Sequence, residues 1–431
     1  MAFLLKRCII YDNIDYINLN HRGENMGNHY VPRLVLRKYN KDEKICTFNV
    51  ETGEYKENVP IQSAFQEKDF YDSETERNLN RKIESQFGNL FSNKILKCNK
   101  KIELTNVELK IVKKFLLVSV LRAMNAQGFT SVEREMYYSP DHHLIELMPF
   151  TEKVIEGESD FDYWLRTINV ILDTDGTPIE VAKHPDATYV AYRWAMVINA
   201  GQVAFWDSAH NADEYVITDI GMTSENEPGW DGVFIHNVKK RAFMADILET
   251  VTAQNDERLI VDTKRTMEFL KYFHENFMMF PISARRMIVT ISPFFRVICN
   301  MRKGVIAAKH DLQKRGICYV PKKEFILNYY TRMNRWKLFE PNDAKYVHGW
   351  EAATGPEQKR DTNDLYIYKP VRLTAEEVDY CNRLFIDRIG KHIGFSSLDN
   401  VYRSILSYKK HFPRNNYSEL YKIIEERYKL R

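Results

Sequence analysis

The stretch Asn28-His29-Tyr30-Val31-Pro32 marks the point in the sequence where an ordered fold begins, and it continues into Leu34, Leu36, Arg37 and Tyr39. Pro32 restricts the residue before it to extended backbone. The alternation of Leu34 and Leu36 predicts a half-buried strand or a tight turn. His29 titrates near neutral pH, so it is either a core histidine with both ring nitrogens bonded or part of a functional site. The local pattern leaves both interpretations open.

This stretch resembles the signature of a mainly bacterial family, domain of unknown function 4238, in which His-Tyr-Val-Pro precedes a Leu-Arg-aromatic pattern. The chain departs from the family after Asp219, where Ile220-Gly221 stands in place of the usual Asn-Pro, so we expect a different loop there. The resemblance covers roughly residues 28 to 395 and implies a shared fold and a shared site location. Its other matching segments are Phe70-Tyr71, Ile83-Glu84, Arg122, Tyr215 to Asp219, Phe280 to Ser283, and Asn382.

Composition places the chain among globular proteins, because 44% of its 431 residues are hydrophobic and 13% are aromatic. Its net charge of +3 is too small for general attraction to nucleic acid or an anionic membrane. The six cysteines show no CxxC pair, which argues against a disulfide framework or a thiolate zinc site. Lys6-Arg7 interrupts the first apolar residues, and no apolar run reaches the length of a membrane span. We therefore expect a cytoplasmic protein with no membrane partner.

Charge is unevenly distributed along the chain. No Lys or Arg occurs between Arg193 and Lys239, a gap that contains Asp207, Asp213, Glu214, Asp219, Glu225, Glu227 and Asp231. Residues 301–340 hold ten Lys or Arg, interleaved with Tyr329, Tyr330 and Trp336. Such a stretch suits a nucleic-acid backbone and base stacking. A solvated helix face with aromatic anchors would produce the same pattern.

Local signals predict an α+β fold, mainly helical, with buried helices packed on short strands and hairpins. Three capping boxes mark helix starts, at Ser73 with Glu76, Thr105 with Glu108, and Thr374 with Glu377. The helix after Ser73 carries a stripe of Leu79, Ile83, Phe87 and Leu90. Hairpins are predicted over 44–61 and 193–205, short strands over 215–218 and 287–291, and a helical segment over 239–277.

We divide the chain into three parts. Residues 1–27 form an N-terminal lead, residues 28–395 a globular core, and residues 396–431 a basic C-terminal helix. Within the core, residues 130–190 are rich in aromatic and charged side chains and loop signals, which indicates an insertion or a lid.

The common catalytic motifs are missing from the sequence, which has no phosphate loop, no GxGxxG, no HExxH and no GxSxG. Instead, single polar residues interrupt apolar elements: His29, Glu84, Arg122, Asp219 and Asn382. Arg122 lies on the most apolar face of its helix, where a guanidinium needs a carboxylate or phosphate partner. Buried polar groups on separate elements usually satisfy one another, so they predict either a buried structural network or a site.

The first functional hypothesis is an enzyme that hydrolyses a phosphodiester or nucleotide bond. His29, Glu84, Arg122 and Asp219 would be catalytic, Tyr30 and Asn382 would bind substrate, and Glu84 with Asp219 would hold Mg²⁺ or Mn²⁺. The family resemblance adds the implication of a toxin-like or antiviral-defence effector. The second hypothesis is a non-enzymatic sensor or binding module for an anionic ligand or partner protein, since Arg122, His29 and Asn382 suffice to bind an anion. A third is an interaction or structural subunit with these polar residues scattered. The oligomeric state is left open.

Overall fold

The computed structural model describes residues 27–39, 42–68, 72–98, 100–126, 149–210, 213–226, 275–291, 343–349, 360–411 and 418–429. Its helices are α1 (Arg33–Leu36), α2 (Ser73–Leu79), α3 (Ser85–Leu90), α4 (Asn106–Ala126), α5 (Asp160–Asp173), α6 (Pro178–Lys183), α7 (Tyr189–Ala200), α8 (Ala375–Asp387), α9 (Leu398–His411) and α10 (Ser418–Lys429). Two π-helical segments, Asn80–Glu84 and Phe91–Ile95, extend α2 and α3.

The strands are β1 (Gly27–His29), β2 (Lys44–Asn49), β3 (Tyr55–Pro60), β4 (Gln66–Lys68), β5 (Ile102–Thr105), β6 (Gln202–Ser208), β7 (Ile217–Thr218), β8 (Thr223–Asn226), β9 (Glu275–Ser283), β10 (Arg286–Ile291), β11 (Asp343–Lys345), β12 (Leu365–Tyr368), β13 (Val371–Leu373) and β14 (His392–Phe395). They form a five-stranded sheet β13-β6-β10-β9-β8, a four-stranded sheet β3-β2-β14-β7, a three-stranded sheet β11-β12-β5 and the pair β1-β4.

The five-stranded sheet is buried on both faces, because every residue of β10 is buried. Successive side chains point to opposite faces of a strand. Ile288 accordingly belongs to one apolar cluster, with Phe205 and Phe280. Its neighbour Met287 belongs to a second cluster, with Trp206. The sheet therefore separates two hydrophobic cores.

The first core holds the helices between residues 73 and 200. Trp164 of α5 is fully buried there, and its indole nitrogen donates to the carbonyl of Leu121 on α4 at 2.8 Å. The predicted stripe of α2 and α3 also lies in this core, since Leu79, Ile83 and Phe87 are at most 1% exposed. The second core packs α8, α9 and α10 against the other face of the sheet.

The α+β class is confirmed. Helices account for 46% of the described residues and the strands form several small sheets, so the architecture is mixed. Only β13 and β6 pair in parallel within the five-stranded sheet, so its main ladders are antiparallel. Within the described ranges, no helix combines the length and apolarity that crossing a bilayer requires.

Two of the three predicted capping boxes are confirmed. Thr105 and Glu108 exchange side-chain to backbone hydrogen bonds at the start of α4, and Thr374 and Glu377 do the same at α8. The third prediction was one residue out, because Asp72 caps α2 by accepting from the Thr75 amide at 2.6 Å. A carboxylate is as good an N-cap as a serine hydroxyl, so the two neighbours compete for the position.

The predicted hairpin over 44–61 is confirmed as β2 and β3. The strand predicted over 287–291 lies within β10, whereas only residues 217–218 of the strand predicted over 215–218 form β7. The hairpin over 193–205 is wrong, because residues 189–200 form α7 before β6 begins. Thr188 caps that helix through the Ala191 amide, and Gly201 ends it. Residues 33–36, predicted as a half-buried strand or a tight turn, form one helical turn.

The region predicted as an insertion or lid is described from residue 149 onward, and α5 within it is part of the first core. The C-terminal part contains two helices, α9 and α10, where one was expected. The basic stretch 301–340 and most of the helical segment predicted over 239–277 lie outside the described residues.

Candidate functional site

Arg122 and Glu84 form a buried ion pair. Arg122 Nη2 donates to Glu84 Oε1 at 2.6 Å, and the two side chains are 4% and 13% exposed. Arg122 comes from the apolar helix α4, and Glu84 from the π-helical segment after α2. The prediction that Arg122 is buried against a carboxylate is therefore confirmed.

His29 lies at the end of β1, and its side chain is buried. Its Nδ1 is 3.1 Å from the carbonyl oxygen of Ala64. Because a carbonyl can only accept, Nδ1 carries the proton, and in the neutral ring Nε2 is the basic nitrogen. Burial is the main cause that lowers the pKa of His29, so the neutral ring is favoured.

The electrostatic environment of His29 connects it to the ion pair. The positive charges of Arg33 and Arg122 lower the His29 pKa, while the negative charge of Glu84 raises it. Three of the four predicted catalytic side chains thus act on one another through space.

A small cavity lies next to Arg122, with a volume of about 20 Å³, which is room for one water molecule. Four separate segments meet around it: the His-Tyr-Val-Pro motif, α4, the turn after β7, and β9. Its lining includes Tyr30, Pro32, Ser119, Arg122, Ile220, Gly221 and Pro281. Three of the segments that carry the family resemblance therefore meet at this cavity: the His-Tyr-Val-Pro motif, Arg122, and Phe280 to Ser283.

Asp219 is buried, and its carboxylate is occupied by the backbone of a distant loop. Asp219 Oδ1 accepts from the amide of Gly390 at 3.1 Å, and Oδ2 accepts from Lys391 at 2.5 Å and His392 at 3.1 Å. Burial raises the pKa of Asp219, and these three amides oppose that rise. The two residues after Asp219 line the cavity, so Asp219 adjoins the site through its backbone.

Asn382 on α8 is fully buried in the second core. Its Oδ1 accepts from the Val216 amide at 3.0 Å, and its Nδ2 donates to the Glu214 carbonyl at 2.8 Å and to Ser404 Oγ at 2.9 Å. These bonds attach α8 to the segment before β7 and to α9. The substrate-binding role given to Asn382 stays a prediction, whereas Tyr30 lines the cavity.

The acidic stretch before residue 220 joins distant elements, each acid with its own partner. Asp207 pairs with Arg286 through two contacts of 2.6 Å. Asp213 contacts Arg403 at 2.7 Å. Glu214 accepts from the Ser396 amide at 2.8 Å. The Asp207 pair links two strands of the five-stranded sheet, Asp213 contacts α9, and Glu214 binds the residue after β14. These carboxylates therefore have separate structural partners.

The proposed metal ligands, Glu84 and Asp219, are bound to Arg122 and to backbone amides respectively. In the described parts of the chain, no group of three or more His, Cys, Asp or Glu is arranged to hold a metal ion. The described residues therefore do not form a metal centre. The metal role of Glu84 and Asp219 stays a prediction.

Sequence reasoning missed Ser119, Gly221 and Pro281 as lining residues. Gly221 has a φ of +71°, and a side chain there would meet Val31 Cγ2 at 3.4 Å, so a glycine fits this close turn. Its signal was the departure from the family pattern after Asp219. Pro281 lies within the Phe280 to Ser283 segment of the resemblance, which was its signal. Ser119 carries no signal of its own, because serine is an ordinary residue on a partly exposed helix face.

Comparison with known proteins gives one match. The family described as "Protein of unknown function (DUF4238)" matches residues 28–397, which is most of the chain. No curated protein matches, and no solved structure matches. The match begins at the residue before His29 and includes every segment that lines the cavity. The chain therefore belongs to the DUF4238 family.

Proposed function

We propose that this protein is a hydrolase of phosphodiester or nucleotide bonds, with His29 as general base and the Glu84–Arg122 pair as its charged support. The observation that carries the proposal is the His29–Ala64 hydrogen bond. It directs the proton to Nδ1, which leaves Nε2 as the basic nitrogen of a ring kept neutral by burial. A neutral imidazole near working pH is what a general base requires.

The chemistry follows from these charges. Nε2 of His29 takes a proton as water attacks phosphorus, so that a new P–O bond forms while the bond to the leaving oxygen breaks. The imidazolium then returns the proton to that oxygen. Glu84 stabilises the transient imidazolium, since its charge already raises the His29 pKa. Arg122 offsets the negative charge that builds on phosphorus oxygens.

The cavity limits how a substrate binds. Its volume of about 20 Å³ accommodates one water molecule but no nucleotide; His29 itself does not line it, but its neighbour Tyr30 does. The phosphate group therefore approaches from outside, past Tyr30 and Pro281 at the lining. Tyr30 is half-buried, so its ring suits a contact with a base or sugar at the entrance.

A cytoplasmic effector, toxin-like or acting in antiviral defence, is the cellular role that agrees best with such an activity. It rests on the resemblance to accessory genes of bacteria and their mobile elements. The phosphodiester or nucleotide would then be a nucleic acid or a soluble nucleotide of the same compartment.

The alternative is a non-enzymatic sensor of an anionic ligand. One observation favours it: Arg122 is already paired with Glu84 at 2.6 Å. An anionic ligand that binds Arg122 would disturb this pair, and such a change is what a sensor needs. The experiment that separates the two is a turnover panel of single- and double-stranded DNA, RNA and nucleoside triphosphates, each with Mg²⁺, with Mn²⁺ and with a chelator. We expect hydrolysis of at least one class. No turnover across the panel, together with saturable nucleotide binding by calorimetry, would favour the sensor.

A further inference from the structure

We infer that Asp219 is a positioning residue, which holds one wall of the cavity in place, and that Gly390 is the residue that makes room for it. The inference rests on the location of the proposed site and deepens it. It assigns Asp219 a different role from the acid, base or metal ligand that its sequence suggests.

The bonding of Asp219 supports this role first. Both carboxylate oxygens accept backbone amides from one short segment, residues 390–392, at 2.5–3.1 Å. The Asp219 amide in turn donates to the His392 carbonyl at 3.1 Å. The adjacent residues Thr218 and Ile393 are paired in the sheet. Asp219 thus fixes the end of β7 to the start of β14 from both its side chain and its backbone.

The turn after Asp219 connects this anchor to the cavity. The amide of Gly221 donates to the Thr218 carbonyl at 2.8 Å, which closes the turn around Asp219 and Ile220. Ile220 and Gly221 both line the cavity, as does Arg122. A Cβ at Gly221 would lie 3.4 Å from Val31 Cγ2 of the His-Tyr-Val-Pro motif. A displaced Asp219 would therefore move the wall that faces the motif and Arg122.

Gly390 is required by the same geometry. A Cβ at this position would lie 2.8 Å from Asp219 Oδ2, which is closer than real Cβ contacts allow. The Asp219 side chain is short and held by three amides, so it cannot move aside without releasing them. Gly390→Ala is thus expected to break the hydrogen bonds between the Asp219 carboxylate and residues 390–392.

Glu214 provides a matched control. It is a buried carboxylate five residues earlier, and it also binds backbone amides just beyond β14, at 2.8 Å to Ser396 and 3.4 Å to Ser397. It carries no turn that lines the cavity. Loss of Glu214 should loosen the same part of the fold and leave the cavity wall in place.

The experiment uses NMR spectra of the full chain labelled with [¹⁵N]glycine, which has 17 glycines. The Gly390 amide signal reports the hydrogen bonds to Asp219, and the Gly221 amide signal reports the cavity wall. In Asp219→Asn, an amide nitrogen replaces one acceptor and faces backbone donors. We expect the signals of both glycines to shift and the Gly221 amide to exchange faster by on the order of tenfold or more. In Glu214→Gln, the Gly221 signal should stay in place. Circular dichroism would confirm that each variant is folded.

A second pair of variants keeps the inference testable if Asp219→Asn folds poorly. Gly390→Ala should shift Gly221 in the parent protein but not further in an Asp219→Ala background, where the clash is absent. An unshifted Gly221 in the folded Asp219→Asn or Gly390→Ala variant would overturn the inference, as would an equal shift in Glu214→Gln. These readouts need no turnover, so failure of the proposed hydrolase activity would be a separate result.

Discussion

Arg122 and Glu84 are joined by one short contact, 2.6 Å between Nη2 and Oε1, across two helical segments that are 38 residues apart in sequence. With side chains 4% and 13% exposed, neither charge has ready access to water. The strength of such a pair is seen when one partner is lost, because the other is then left buried with an uncompensated charge. The pair is also the charged part of the proposed site. Its contribution to folding stability and its contribution to activity can be distinguished only by measuring both in variants.

Arg122→Ala should lower the free energy of unfolding by about 3 kcal/mol or more, since it strands Glu84. Urea denaturation followed by circular dichroism measures the loss. Lys110→Ala is the control, because Lys110 pairs with Asp175 at 3.0 Å with both side chains well exposed. That change should cost less than about 1 kcal/mol. Equal losses in the two variants would contradict the burial of the Arg122 pair.

His29 should make the protein less stable as the pH falls below the histidine range. Its folded pKa is lowered from 6.5, so the unfolded chain binds a proton more readily than the folded one. Stability contributed by the neutral ring is complete above the unfolded pKa and falls as the pH decreases toward the folded pKa. His29→Gln should flatten the dependence of unfolding free energy on pH between about 7.5 and about 5.

His392 is the comparison for this pH dependence. Burial also lowers its pKa, so His392→Gln should remove a separate part of the same slope. Histidine-selective ¹⁵N spectra would follow both rings directly, and the bond to Ala64 predicts a protonated Nδ1 for neutral His29. An unchanged slope in His29→Gln, or a His29 pKa at or above 6.5, would refute the electrostatic description of this ring.

Asn382→Ala tests whether the buried Asn382 side chain has a structural role or contacts a ligand. The variant leaves the Val216 amide and the Glu214 carbonyl without their side-chain partner in the second core. Each stranded group costs about 1–3 kcal/mol, so a loss on the order of 3 kcal/mol is expected. Nucleotide binding measured by calorimetry below the new unfolding midpoint should be unchanged. A stable variant with weakened binding would support the substrate-binding role predicted from sequence.

Local chemistry explains what the sequence could predict. Capping boxes at Thr105 and Thr374 depend on side chains three residues apart, and they were correct. The pairing of Arg122 with a carboxylate followed from the cost of a guanidinium on an apolar helix face. The hairpin over 193–205 was wrong because aliphatic residues before a glycine suit a buried helix end as well as a strand.

Long-range partners explain what the sequence could not predict. The amides that hold Asp219 are more than 170 residues away, and a backbone amide leaves no mark in the sequence. The same limit applies to Ala64, whose carbonyl sets the proton position on His29. The residue types and their local context were therefore enough to select the residues of the candidate site. The fold was needed to assign Glu84 and Arg122 to a charged pair and Asp219 to a structural role.

The most direct test of the account is hydrolysis by His29→Gln on whichever substrate of the turnover panel the parent protein cleaves. Loss of a general base costs typically 10²–10⁴-fold, so we expect a fall of about 100-fold or more in kcat. His184→Gln is the matched control, because His184 lies at the end of α6 beside Asp173 and is not part of the proposed site; it should retain parent activity. Activity in folded His29→Gln equal to that of the control would contradict the claim that this histidine is the general base of the proposed site.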